Sequence, residues 1–496
     1  MNLGIIARAL GALLWLLAAT GIAPLLMDWS SGEPLRPWTV MLVVAVGLGA
    51  ILLLLGRRGS ANDLHVREGM AITTLTWLVF SLVAGLGIHL AAPPASYIHG
   101  WFEAMSGFTT TGSTIFGDPG FLRIEELTPG LKLWRSIIQW MGGIGIVVIS
   151  LSVLPMLMGA SGFQMYRAEV PGLDKDRLAP RIADTARILV SFYLALSASV
   201  VVALMLCGVS LFDAVCHTFT CVSTGGFSPY DDSIEGLGSV AAEWVLLIAM
   251  LASGINFGLI LLALRGRLRR FWRSSELRLY LGLIVAAWVL LIAVLAAQPG
   301  IYVGQAHDLI RDAGFQTVSM ATTTGFGTGY DTVPAAWDAW PAVAQLVLLF
   351  LMIGGACSGS TAGGMKMVRY IVAWRGARRE LRRYTEPARL TPISLDGAPL
   401  RDPVVTRVGA FIAIYAVSWA VGTLLIALGG NSAEVAASAS LSALSNIGPG
   451  LGTIGPAENY RSIGEPSQVV CLCLMLLGRL EFFGVLATLW PQNWRR

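Results

Sequence analysis

Residues 105–116 read MSGFTTTGSTIF: three threonines, a glycine and a serine–threonine pair in a chain that is otherwise strongly apolar. Bare hydroxyls and a glycine side by side make a poor membrane helix and a poor core strand. Their chemistry is that of hard oxygen donors. Hydroxyls offer lone pairs, and a glycine backbone takes angles that turn carbonyls to one side. Such a set suits the dehydration and holding of a small cation. The pattern also recurs: residues 221–227 read CVSTGGF, 321–327 read ATTTGFG and 442–450 read SALSNIGPG. Aligned on Gly112, Gly225, Gly325 and Gly448, the copies stand roughly a hundred residues apart, which marks an internal repeat.

One such copy reads equally well as small-residue helix packing or a loop glycine. Four copies with the same surroundings do not. A long apolar span precedes each one (70–91, 188–209, 277–297, 404–428). A short, half-apolar segment follows it (97–108, 212–221, 308–320, 434–444), and a second full span completes the unit. At about 10–14 residues the short segments fall below the roughly 20 needed to cross a bilayer, which predicts re-entrant helices. Glu103, Asp213 and Asp312, each followed by alanine, and Glu434 are expected to act chiefly as first-turn acids that complement a helix dipole.

Composition sets the class. The chain is 55% hydrophobic and 13% charged, against about 25% charged in soluble domains. This predicts an all-α polytopic membrane protein. Its first apolar run, 10–26, carries no small-residue cleavage pattern and reads as a retained helix. With 40–55 it forms an extra pair ahead of the four units. The expectation is ten spans and four re-entrant loops, with eight spans in a pseudo-fourfold ring. The divisions are 1–68 for the N-terminal pair and 69–165, 166–272, 273–395 and 396–496 for the repeats. Most of the 34 basic residues fall in loops on one side; Arg36, Arg123, Lys132, Arg311 and Arg461 fall on the other. The positive-inside rule makes the first side cytoplasmic, with both termini. The six cysteines form no C-x-x-C pair and the five histidines no ligand spacing, which predicts small buried thiols and no disulfide, metal centre or covalent cofactor.

Irregular backbone survives at membrane depth only inside protein or along a water-filled path, because each unsatisfied amide costs several kcal/mol in hydrocarbon. Four such segments on one axis make a ring of carbonyls able to replace a hydration shell. Without carboxylates that ring favours a monovalent cation. The predicted filter is Thr110, Thr111, Gly112, Ser113; Ser223, Thr224, Gly225, Gly226; Thr323, Thr324, Gly325, Phe326; and Asn446, Ile447, Gly448, Pro449. The fourth loop lacks Thr-Thr-Gly, so hydroxyl ligation is expected to be weaker there.

A second irregular run, 354–366, reads GGACSGSTAGGMK. Each glycine costs a helix interior about 1 kcal/mol relative to alanine. The run is therefore either a close helix contact through small residues or a broken helix lying across the path below the filter. Its members are Gly354, Gly355, Ser358, Gly359, Ser360, Thr361, Gly363 and Gly364, with Lys366 just beyond. No Lys-Ser/Thr ends it, so it is not a phosphate-binding loop. Arg479 sits near the middle of a span at 466–491, about 18–20 Å from either end and beyond snorkelling reach. It is expected to bond carbonyls or hydroxyls of 354–364 and hold that loop closed, with Glu481 as a further partner. Lys366 either opposes cation passage or anchors the cytoplasmic end; Arg135 is expected at the interface.

These motifs resemble the Trk/Ktr/HKT superfamily of cation transporters, in particular the membrane subunit of bacterial Trk-type potassium uptake systems. The resemblance rests on FEAMSGFTTTGST (102–114), WMGGIGI (140–146), YRAEVPG (166–172), STGGFS (223–228), TTTGF (322–326), GSTAGGMK (359–366), SNIGPGLG (445–452) and GRLE (478–481). It implies four membrane–pore–membrane repeats around one K⁺ filter, and the N-terminal pair looks like the Trk branch. In plant relatives a serine in place of the first filter glycine accompanies Na⁺ selectivity; Gly112 here implies K⁺, with Rb⁺ as its surrogate. The resemblance favours the gating-loop reading of 354–366. It further implies a homodimer in the bacterial inner membrane and a cytoplasmic, nucleotide-binding regulator of the TrkA type. The basic 369–407 stretch could meet that regulator or anionic lipid. No nucleic-acid partner is implied.

Within transport the rival is K⁺/H⁺ or K⁺/Na⁺ symport. Glu243 and Glu481 stand alone in the spans, offering no proton relay, which favours channel-like permeation. The rival from another class, a polytopic membrane enzyme, would need clustered His, Asp, Ser or Cys near one face, and the sequence has no such cluster.

Overall fold

Helix starts follow the polar punctuation between apolar runs. The Asn2 side chain accepts the Gly4 N–H to open α1 (Leu3–Ser31), and a proline sits in the first turn of α2 (Arg36–Leu55). The computed structural model describes residues 1–58, 65–93, 95–117, 121–152, 178–298, 302, 305–328, 337–386, 392–400 and 402–494. After the pair comes one pattern four times. The first repeat is α3 (Val66–Ala91), the short α4 (Tyr97–Phe108) and α5 (Pro129–Ser152). The second is α6 (Leu178–Leu206), the short α7 (Leu211–Val222), then α8 (Val240–Gly254) and α9 (Phe257–Leu264). α10 (Leu268–Arg273) leads into the third: α11 (Ser275–Ala296), the short α12 (Ala306–Ala321), α13 (Ala342–Gly354) and α14 (Met367–Thr385). The fourth is α15 (Asp402–Leu428), the short α16 (Ala433–Ser445), α17 (Glu465–Arg479) and α18 (Phe483–Leu489). Serine caps open three of the four short helices: Ser96, Ser210 and Ser432 each accept an N–H three residues on.

Two second spans expected to be continuous are bent. α8 meets α9 at 105° and α17 meets α18 at 114°. At the first break Asn256 caps α9 by accepting the Leu259 N–H. At the second, Glu481 and Phe482 take φ of +54° and +59°, outside any right-handed helix. Six of the described helices are long and apolar enough to cross a membrane, or eight if each bent pair is one span. The expected ten also count α5 and the interrupted α13–α14. The division expected at 395/396 falls inside a hairpin of β1 (Ser394–Leu395) and β2 (Ala398–Pro399). The one at 165/166, and the YRAEVPG motif, lie outside the described residues.

Two apolar cores flank the central axis. One joins α6, α8, α9 and α11–α13; the other joins the N-terminal pair with the first and fourth repeats. Large apolar side chains such as Val43, Leu206 and Leu428 lie on the outside, as lipid requires. All six cysteines are free thiols, four of them buried; Cys473 is exposed.

The N-terminal pair is fastened to the first repeat by Asp28, only 1% exposed. Its carboxylate accepts from Trp38 Nε1 at 2.6 Å, Thr128 Oγ1 at 3.1 Å and the Gly130 N–H at 2.6 Å, and so caps α5. Asp28→Ala leaves the Trp38 and Gly130 donors buried and unmatched. It is expected to destabilise the protein by about 2–4 kcal/mol. A lowered thermal midpoint in detergent, with ion preference unchanged, is the result that checks it.

Candidate functional site

The four short helices end in one turn, repeated. Just past each helix, Thr110, Thr224 and Thr323 two residues beyond its end and Asn446 directly beyond it, the backbone has φ between +50° and +58°. The next amide in each, at Thr111, Gly225, Thr324 and Ile447, donates to the carbonyl five residues back. The following glycine, Gly112, Gly226, Gly325 or Gly448, again has positive φ, from +81° to +110°. This register corrects the expected alignment. The counterpart of Gly112 in the second loop is Gly226, not Gly225. Ser223 therefore caps α7 as Thr109 caps α4, and Phe227 takes the place matching Ser113, Phe326 and Pro449. CVSTGGF offers two glycines, and only the backbone distinguishes them.

The four loops close on one another. A Cβ placed on Gly112 would lie 2.1 Å from Gly225 O; on Gly226, 2.0 Å from Thr324 O; on Gly325, 1.9 Å from Ile447 O; on Gly448, 2.9 Å from Thr111 O. Each glycine thus abuts the ring carbonyl of the next repeat, and the fourth abuts the first. No side chain fits at these seams. The short helices all point their C-termini at this ring, so their partial negative charges favour a cation there.

The hydroxyls do more bracing than expected of ion ligands. Thr111 Oγ1 bonds Thr109 Oγ1 and Thr324 Oγ1 bonds Thr322 Oγ1, both at 2.8 Å. Thr323 Oγ1 accepts the Gly363 N–H at 2.6 Å. Thr110 Oγ1 is buried and has no hydrogen-bond partner among the described residues. In the fourth loop, Gly448 O accepts from Ser113 Oγ at 3.1 Å, Ser442 Oγ at 2.8 Å and the Tyr460 hydroxyl at 2.8 Å. The departure seen in its sequence thus has a structural counterpart: that carbonyl is committed to protein donors.

Second spans hold the loops from behind. Gln139 Nε2 donates to Gly225 O at 2.7 Å, and its Oε1 accepts the Phe227 N–H at 3.1 Å. Arg135, expected at the interface, is buried. It donates to Glu103 Oε1 at 2.8 Å and Ser228 O at 2.9 Å, and lies over the Phe227 ring. Glu103 also accepts from the Ile115 N–H at 2.9 Å and from Thr114. It lies in the body of α4, not its first turn, and pins the chain that leaves the first loop. Asp312 is likewise mid-helix. It meets Arg311, which also reaches Glu243 at 3.0 Å. Glu243 is therefore not alone, as expected, but part of a cluster bridging α8 and α12. Asp213 and Glu434 do lie in first turns. Above the ring is a small outer cavity, about 60 Å³, lined by Gly112, Gly226, Gly325 and Gly448 with Arg135 and Asp231 at its walls.

Directly below the ring runs the 355–366 segment, bonded to the second, third and fourth repeats. The Gly364 N–H donates to Ser445 O at 3.0 Å, and Thr361 Oγ1 to Val222 O at 3.0 Å, the C-terminal ends of α16 and α7. Glu276, which sequence reasoning missed, accepts the Ser358 N–H at 2.7 Å and the Val368 N–H at 3.1 Å through one oxygen. A carboxylate at the start of an apolar span was the available signal. Asn256 Nδ2 donates to Ser358 O at 2.6 Å, and the Phe257 N–H to Gly359 O at 3.2 Å. Ser360 Oγ bonds Cys357 O within the loop. Gly354 ends α13, and Gly355 leaves it with φ of +65°.

Arg479 is not at mid-helix: it is the last residue of α17. Its guanidinium donates to Thr361 O at 2.8 Å and Gly142 O at 3.3 Å, joining the loop to the first repeat. Glu481, expected as its partner, pairs instead with Arg369 at 2.5 Å, because the bend after Arg479 carries the carboxylate away from it. Lys366 Nζ donates back to Ala362 O.

Residues 39–495 match the TrkH family, described as a cation transport protein. The chain is 35% identical to the Trk system potassium uptake proteins TrkH of Salmonella typhimurium and of Escherichia coli K12, over 100% of each chain. It is 28% identical to TrkG of Escherichia coli K12, over 99% of this chain and 98% of that one. The crystal structure of the potassium transporter TrkH from Vibrio parahaemolyticus superposes over the whole of both chains with a TM-score of 0.87 at 31% identity.

Proposed function

This chain belongs to the TrkH family of cation transport proteins, and from that membership we propose the route by which it works. It is a multi-pass membrane transporter for potassium uptake, and not an enzyme. K⁺ sheds its hydration at the ring of Thr111, Gly225, Thr324 and Ile447 carbonyls, with Gly112, Gly226, Gly325 and Gly448 giving the close approach. The observation that carries this reading is the closed cycle of glycine-to-carbonyl seams, a fourfold arrangement of neutral oxygens at the meeting point of four helix C-termini. Neutral oxygens suit a monovalent ion. The 355–366 loop is the gate, and Arg479 holds it shut.

The rest of the reading follows the family. The protein sits in the bacterial inner membrane with both termini cytoplasmic, pairs with a second copy, and takes its regulation from a nucleotide-binding TrkA-type subunit. The basic α14, with Arg375, Arg378, Arg382 and Arg383 beside exposed Trp374 and Tyr384, supports a cytoplasmic docking role. Permeation is channel-like. The Glu243–Arg311–Asp312 cluster is ion-paired within itself and does not line the outer cavity, which speaks against a relay to the ring.

The test is ion flux into liposomes holding only this protein. K⁺ and Rb⁺ are expected to pass well above Na⁺ and Li⁺ with no proton gradient. A strict requirement for a proton or Na⁺ gradient would replace the channel with a symporter. Silence in the unaltered chain that lifts on Arg479→Ala would mark a closed pore.

A further inference from the structure

Beneath the loop lies a cavity of about 380 Å³ with more cations than carboxylates in its wall. Among the described residues, Lys366, Arg369, Arg407 and Arg479 line it against one carboxylate, Glu481, already paired with Arg369. Lys366 and Arg479 are 7% and 2% exposed. Their hydrogen bonds go to backbone carbonyls, and among the described residues neither has a carboxylate within ion-pair distance. Arg479 Nε, buried, has no hydrogen-bond partner among the described residues. Burying an ion costs several kcal/mol unless an opposite charge meets it, and intramembrane cations are found beside such partners. The missing member is an anion.

The rest of the cavity says what kind. Its other wall is apolar, with Val408 and Phe411 on α15 and Phe483 and Ala487 on α18. Arg369 is fixed at the edge by lying 3.9 Å over the Phe411 ring. Of its lining residues, Arg407 on α15 and Phe483 on α18 are both exposed, the latter by 41%. A basic pocket between membrane helices with one greasy wall suits an anionic headgroup. We infer that this cavity binds a phosphate-bearing anion, the headgroup of an anionic phospholipid that enters between α15 and α18. Its phosphate lies between Lys366 and Arg479 and its apolar part against Phe411 and Phe483. Bound there, it neutralises the positive wall below the gate.

Binding is read without flux, so the inference stands or falls apart from the transport route. The full chain in neutral detergent is titrated with phosphatidylglycerol and phosphatidylethanolamine, read by native mass spectrometry, and with inorganic phosphate, read by thermal shift. Phosphatidylglycerol is expected to bind at least about tenfold more tightly than phosphatidylethanolamine. Lys366→Gln is expected to remove about that factor, the worth of one charge-assisted hydrogen bond, and Lys366→Arg to restore it. Ala487→Phe keeps every charge and fills the apolar part; it should lose the lipid yet keep inorganic phosphate. It also carries the test if Lys366→Gln does not fold. Binding of phosphate with no preference between the lipids would keep the anion site and make its source a free phosphate. Equal binding of both lipids together with no response to phosphate, or affinities indifferent to both Lys366→Gln and Ala487→Phe, would overturn the inference.

Discussion

Gly112→Ser is expected to reduce discrimination between K⁺ and Na⁺ by about tenfold or more in liposome flux, while the protein still inserts and folds. Two effects act together. The residue must hold φ of +83°, which costs an L side chain about 1–2 kcal/mol. The new Cβ would also lie 2.1 Å from Gly225 O, so that carbonyl must leave the ring. Displacing one of four oxygens changes the fit for one ion over another, and about 1.4 kcal/mol of lost preference is a factor of ten. The register can be tested in the same assay. Gly226→Ala meets Thr324 O at 2.0 Å and should resemble Gly112→Ser. Gly225→Ala meets the Gln139 side-chain amide at 2.4 Å, a group with rotatable bonds, and should discriminate better than Gly226→Ala. Unchanged discrimination in both Gly112→Ser and Gly226→Ala would remove the ring from the permeation path.

The repeat and its four loops were legible because chemistry and spacing recur together. Short segments below spanning length, each ending in hydroxyls and glycine, leave few alternatives in a chain this apolar. Residues defined by long-range contact were not legible. Arg135 and Glu103 lie on different helices, and nothing local marks them as a pair. The Glu243–Arg311 contact joins two repeats in the same way. The bend after Arg479 has no glycine or proline within it: Leu480, Glu481 and Phe482 carry it, with two of them at positive φ. Surrounding contacts, including the Glu481–Arg369 pair, impose that geometry against local preference. The loop at 355–366 was visible as an interruption, whereas its clamps, Glu276 and Asn256, reach it from about 80 and 100 residues earlier in the chain, in the third and second repeats.

Those clamps bear on the second large effect, that of Arg479→Ala. In the proposed closed state Arg479 gives two charge-assisted bonds, to Thr361 O and Gly142 O. Each is worth about 1.5–3 kcal/mol when buried. Losing them leaves the loop tied by Glu276, Asn256 and the Gly363 and Gly364 amides, so release is partial. It also removes a buried positive charge from the path just below the ring. If about 3 kcal/mol of the closed state's preference is lost, the open fraction rises by roughly a hundredfold until it saturates. Flux of K⁺ and Rb⁺ through the isolated subunit is therefore expected to rise steeply, with discrimination against Na⁺ retained because the ring is untouched. Arg479→Lys separates the two contributions. It keeps the charge but offers no planar fork to bridge Thr361 and Gly142. Flux near that of the unaltered chain in the lysine variant would assign the barrier to charge, and flux near that of Arg479→Ala would assign it to the tether. No rise in Arg479→Ala, with the protein folded and Gly112→Ser still altering selectivity in the regulated complex, would leave the filter reading intact and end the closing role of Arg479.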